Sequence, residues 1–160
     1  MRMKTLAGVI VAAAMLSLAQ QAALQESSVK LGRNTVSIKY PAIPSSAAAG
    51  LSAAQLILHT DADLEIQGLP VPKGDYALYL QPGPQQWELI INKQAGGARN
   101  PKLDLGRVPM DMKKAASPSP VLKVTLAGFG NVAGRMDVAF GATLASAPFN
   151  IDAVKPNAEW

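Results

Sequence analysis

DYALYLQPGPQQWELIIN, Asp75 to Asn92, is the stretch whose reading decides the fold. Tyr76, Leu78 and Leu80 occupy alternate positions before the breaker Pro82-Gly83-Pro84, and Trp87, Leu89 and Ile91 occupy alternate positions after it. A period of two places every second side chain on one face of a strand, so the stretch predicts a hairpin that buries those six residues together. The residues between them, Tyr79, Glu88, Ile90 and Asn92, then point to the opposite face. An aromatic ring beside a carboxylate and an amide suits contact with a sugar or a peptide. Tyr79, Glu88 and Asn92 are therefore the candidate binding residues, and the competing reading is that a second packed layer covers the same face.

Outward from this hairpin the chain continues as strands. Upstream, Val36, Ile38 and Tyr40 alternate with Thr35, Ser37 and Lys39, behind a turn at Gly32-Arg33-Asn34 and a strand around Ser28 to Leu31. Pro41 to Gly50 reads as a loop, Leu51 to Gln55 as a helical turn at most, and Leu56 to Thr60 and Leu64 to Ile66 as strands. Downstream, strands are expected near Leu103 to Met110, Val121 to Ala127, Arg135 to Phe140 and Thr143 to Ile151. Ser117-Pro118-Ser119-Pro120, the glycines from Gly128 to Gly134, and Gly141 separate them. About eight to nine short strands with Gly and Pro turns predict an all-β fold, an antiparallel β-sandwich. Eight aromatic residues in the whole chain are too few for the two girdles of a transmembrane barrel.

The longer segment Asp61 to Lys93, DADLEIQGLPVPKGDYALYLQPGPQQWELIINK, resembles the core of a family of exported bacterial proteins, the domain of unknown function 2911. Leu69 with Pro72-x-Gly74-x-Tyr76, then Pro82 with Trp87-x-x-Ile90-x-Asn92-Lys93, fall on that family's Leu, Pro, Gly, Tyr and Trp-x-x-Ile-x-Asn-Lys positions. Weaker similarity extends over SVKLGRNTVSIKYPAIP and the C-terminal strands. The resemblance implies a fold and an exported address rather than an activity. The chain departs from the family where a Trp-Arg-x-Gly-Ala-Asn-Glu-like segment precedes the core hairpin: Ser45 to Gln55 here reads SSAAAGLSAAQ, without those polar groups.

At the N-terminus, Arg2 and Lys4 precede an apolar run from Leu6 to Leu18 and a small-x-small boundary at Ser17-Leu18-Ala19. This is the pattern of a secretory signal peptide, residues 1–19, cleaved after Ala19. Its thirteen or so apolar residues fall short of the roughly twenty that a membrane-crossing helix needs. A polar, mobile leader is expected over residues 20–26, one domain over 27–154 and a tail over 155–160. The mature charge is +2, from thirteen basic and eleven acidic residues, and the basic residues are scattered, so nucleic acid is not an expected partner. With no cysteine, the fold has to stand on core packing, and thiol catalysis, thiolate metal ligation and disulfides are ruled out.

Candidate chemistry is sparse. His59 is the single histidine, beside Asp61 and Asp63; a catalytic triad needs a serine brought to it, and a zinc site needs further carboxylate ligands. Asp61, Asp63, Glu65 and Asp75 could meet around calcium, although acidic residues flanking strands are more often simply solvated. Ser27-x-x-Lys30 lacks the accompanying elements of a penicillin-binding serine site, and the Gly128–Gly134 glycines lack a following helix to hold phosphate. The expectation is an exported, soluble, non-catalytic β-sandwich, periplasmic or secreted, that takes no cofactor or metal and binds a small ligand, glycan or protein partner. The alternative is a periplasmic hydrolase using acidic residues near His59.

Overall fold

The computed structural model describes residues 24–151; the expected signal peptide, the leader as far as residue 23, and the tail lie outside the described residues. Two antiparallel sheets face each other. The larger is built from β1 (Gln25–Leu31), β2 (Asn34–Tyr40), β3 (Leu56–Thr60), β6 (Gly74–Gln81), β7 (Glu88–Asn92) and β8 (Asp104–Pro109), in that spatial order. The smaller runs β5 (Leu69–Val71), β4 (Leu64–Ile66), β10 (Ala133–Ile151), β9 (Asp111–Phe129). A six-residue helix, α1 (Ala48–Ala53), and a turn of 3-10 helix at Pro101–Leu103 are the remaining elements. No helix among the described residues is long and apolar enough to cross a membrane.

The alternation read from Asp75 to Asn92 sets the packing. Leu78 lies opposite Ile91 and Leu80 opposite Leu89 in the β6–β7 pair. All four are buried with Tyr76 and Trp87 against Val124, Met136, Val138 and Phe149 of the smaller sheet. Gly74 (φ 143°) opens β6 in a conformation that L side chains rarely adopt, which fits the need for glycine before Tyr76. Strand β1 begins at Gln25, so the last two residues of the expected leader pair with Tyr40 and Lys39 instead of trailing free.

The sandwich is confirmed, but with ten strands, and the C-terminal third differs from the expectation. Ser117–Pro120 and Gly141 do not end strands: β9 and β10 each run nineteen residues through them. Between the pairs Ala139–Lys123 and Thr143–Lys114, β10 advances four residues while β9 advances nine; the Gly141–Ser119 pair divides this stretch into two bulges, in which β9 carries two and three extra residues. Pro118 and Pro120, which cannot donate to a ladder, sit on either side of Ser119 in this irregular stretch, one in each bulge. Loop residues bridge it, with Ser45 N–H donating to Pro120 O (2.8 Å) and Leu122 N–H to Ile43 O (2.8 Å).

On β10 the irregularity falls at Gly141 (φ 61°) and changes the inward parity, from Met136, Val138 and Phe140 to Ala145, Ala147, Phe149 and Ile151. The strand also folds back toward itself. Ile151 N–H donates to Val132 O (2.7 Å), just ahead of β10's first residue, and Ser146 Oγ donates to Asp137 (2.7 Å). This coiling opens clefts along the outside of β10.

Candidate functional site

The outward face of the central hairpin is closed. Tyr79 and Ile90 are buried with Ala77 in a small cluster of their own, and Asn92 has no exposed surface. The cover is the segment from Lys93 to Leu103 together with Gln55, not a second sheet. Gln55 Nε2 donates to Tyr79 Oη (2.7 Å) and to Gly97 O (3.0 Å), while the Arg99 guanidinium lies 5.4 Å from the Tyr79 ring centroid. Asn92 Nδ2 donates to Asn100 O (2.9 Å) and Asp104 Oδ1 (2.8 Å), and its Oδ1 accepts from Gln94 N–H (2.8 Å).

Arg99 closes the circuit on Asp104 (2.5 Å). Burial works to raise the Asp104 pKa, but hydrogen bonds from Arg99 and Asn92 and the nearby cations hold it below the ordinary aspartate value. Glu88 pairs with Arg107 (2.9 Å) across the β7–β8 ladder. The expected contact face of Tyr79, Glu88 and Asn92 is thereby corrected in part: Tyr79 and Asn92 are buried and hold a loop onto the sheet, while Glu88 stays partly exposed and pairs with Arg107 on the neighbouring strand β8. Gln55 is the one polar side chain that the Ser45–Gln55 segment contributes here, and nothing in its own sequence context marked it.

Register brings His59 and two aspartates together. Ser37 of β2, His59 of β3 and Asp75 of β6 lie in one cross-strand row on the outer face of the larger sheet. His59 Nδ1 contacts Asp75 Oδ1 (2.6 Å) and Nε2 contacts Asp61 Oδ1 (3.0 Å), while Thr35 N–H donates to Asp61 Oδ2 (3.2 Å). With both ring nitrogens donating to carboxylates, the imidazolium is favoured. The hydrogen bond to Asp75, then that to Asp61, raises the His59 pKa above 6.5, and His59 followed by Thr35 lowers that of Asp61 below 3.8.

Asp63 instead accepts from Lys73 N–H (2.8 Å), and Glu65 sits opposite Asn150 on β4. The four acidic residues therefore do not converge, and no group of three or more potential ligands forms among the described residues. Beside the row, Glu26, Ser37, Lys39, Ile57, His59 and Asp75 line an open groove of about 390 Å³.

The sign of the two shifts sets a pH window. A raised His59 pKa gives stability that is complete below 6.5 and lost as pH rises through the folded value; a lowered Asp61 pKa gives stability present above 3.8 and lost as pH falls. Both contributions are complete between these two values. The thermal midpoint of the wild type should exceed that of His59→Ala most near about pH 5, with the gap narrowing toward about pH 9. A gap independent of pH over that range refutes the ion-pair origin.

Among the described residues the space between the two sheets is filled. The void between the sheets, lined by Ile38, Leu78, Leu89, Met136 and Phe149 among others, holds about 10 Å³, at the margin for one water. The larger spaces are on the surface. One cleft of about 500 Å³ lies where β10 folds back, between Phe129, Gly134 and Arg135 on one side and Phe149 and Asn150 on the other. A family model described as "Protein of unknown function (DUF2911)" matches residues 51–149, and the chain belongs to that family. Comparisons with curated proteins and with solved structures returned no match.

Proposed function

We propose that this protein is exported and works as a soluble, non-catalytic β-sandwich that binds a small ligand, glycan or protein partner at its surface. The observation that carries the reading is the state of the single histidine. A hydrolytic base must hold one ring nitrogen open toward a nucleophile or water. In the His59 row both nitrogens face carboxylates, and although Ser37 is the cross-strand neighbour, Asp61 occupies the position that a serine hydroxyl would need. Held between two carboxylates, the ring has no nitrogen free to accept a proton from a nucleophile. Packing points the same way: a filled interior leaves ligand contact to the outside, and the basic start with its apolar run supports export.

Exported material should begin at Gln20 on N-terminal sequencing. Neither p-nitrophenyl esters nor p-nitrophenyl glycosides should be turned over above the buffer rate, by the wild type or by His59→Ala. An intact Met1 on membrane-bound protein would sink the export reading. Turnover by the wild type that disappears in folded His59→Ala would replace the binding reading with the hydrolase.

A further inference from the structure

We infer that the cleft along the fold of β10 is a binding site for the ring of a neutral saccharide, a step that rests on the binding reading above and gives it a place and a ligand class. Phe129 is the starting point. It is 52 % exposed, at a hairpin tip where Val132 is also exposed, and it lines the roughly 500 Å³ cleft. That volume lies within the range of small-molecule sites. Exposure does not leave the ring loose: the Arg135 guanidinium stacks 5.2 Å from its centroid, and Asp137 fixes that guanidinium through contacts of 2.7 and 3.0 Å. Ser146 in turn donates to Asp137, so the platform is tied to both halves of the folded strand.

The floor is also built rather than incidental. Gly134 lets the Phe149 ring lie against the β10 backbone; a Cβ at Gly134 would stand 2.6 Å from Phe149 Cζ and 3.0 Å from Ala127 O. Two amides stand at the rim. Gln67 Nε2 donates to Pro109 O, which leaves its side-chain carbonyl without a donor among the described residues, and Asn150 is exposed with no side-chain hydrogen bond among them.

Chemistry then selects the ligand. The one cation in the cleft is offset by Asp137, so no net charge favours a phosphate, a carboxylate or an amine. What remains is an aromatic platform and floor for the C–H face of a ring, with amide donors and acceptors for hydroxyl groups at its edge. A pyranose presents both in one molecule.

The test uses the mature chain and three neutral probes, cellotetraose, chitotetraose and maltotetraose, with tetragalacturonate as the charged counterpart, followed by backbone amide NMR. At least one neutral probe should bind and shift the amides of Phe129, Gly134 and Asn150. Phe129→Ala should weaken that association at least about tenfold and Asn150→Ala about fivefold, with unchanged thermal midpoints, because both side chains are exposed.

Failure of all neutral probes to bind overturns the site, as do shifts confined to the groove over His59 or an affinity indifferent to Phe129→Ala. A concentration-dependent dimer abolished by Phe129→Ala also overturns it, by assigning the exposed tip to a second copy of the chain. These outcomes are separate from the enzymatic test. Absence of saccharide binding in a protein without turnover removes this cleft and leaves surface binding standing, whereas His59-dependent turnover removes the binding reading itself.

Discussion

Trp87→Ala should lower the free energy of unfolding by about 3–5 kcal/mol, read as a fall in the urea midpoint. Trp87 is 6 % exposed and immediately precedes β7, where its backbone carbonyl accepts from Met110 N–H (2.9 Å) and so ties the hairpin to the strand that leads into the smaller sheet. Its side chain belongs to the same buried cluster as Tyr76, Leu89 and Met110. Alanine would leave a cavity that well-packed neighbours on two sheets cannot collapse to fill. Val121→Ala, at a position 41 % exposed on β9, is the control and should change the free energy of unfolding by no more than about 0.5 kcal/mol. Equal midpoints for Trp87→Ala and the parent would show that the inward register of the hairpin is wrong.

That register was legible because a strand's period is two and one face had to be buried: Tyr76, Leu78, Leu80, Leu89 and Ile91 announce it without knowledge of any neighbour. The same rule misread the C-terminal third. Ser117–Pro120 carries every local mark of a break, yet β9 continues, since two bulges take up the five extra residues and the chain at Ile43 and Ser45 supplies hydrogen bonds that the ladder loses there. Local breakers state what a residue cannot donate, not whether tertiary partners bridge the gap. The His59 row was half legible. The residues were in view, but only the β2–β3–β6 register joins Asp75 to a histidine sixteen positions away. Phe129, alone among glycines at a hairpin tip, did carry a signal, because an aromatic ring with few local neighbours has little chance to be buried.

Asn92 is the case where parity was right and the inference from it was not. The side chain points to the outer face of the sheet, as alternation requires, but a glycine-containing loop returns over it, with Gly96 (φ 105°) and Gly97 (φ 75°) in left-handed conformations that suit the turn. Asn92→Ala should therefore destabilise the domain by about 2 kcal/mol, since it leaves the half-buried Gln94 N–H without its acceptor and takes a donor from Asp104, while Asn100 O keeps the Leu103 N–H (2.9 Å); a polar group so left unpaired costs about 1–3 kcal/mol.

Asn92→Asp separates polarity from shape. It keeps the acceptor for Gln94 N–H but turns an amide donor toward the Asp104 carboxylate into a second carboxylate, and like charges at that distance in a covered site repel strongly. In the variant the two carboxylates compete for the Arg99 guanidinium, and one proton taken up between them restores a hydrogen bond. The deficit of Asn92→Asp relative to wild type should be largest near about pH 7 and shrink near about pH 4, where the pair takes up a proton and regains a donor. Hydrogen exchange provides the spatial check: the Gln94 amide should lose protection in Asn92→Ala but retain it in Asn92→Asp, while the Leu78 and Leu89 amides keep theirs in proportion to global stability. A wild-type-like urea midpoint for Asn92→Ala would mean that the loop from Lys93 to Leu103 does not depend on this residue and that the face beneath it is open after all.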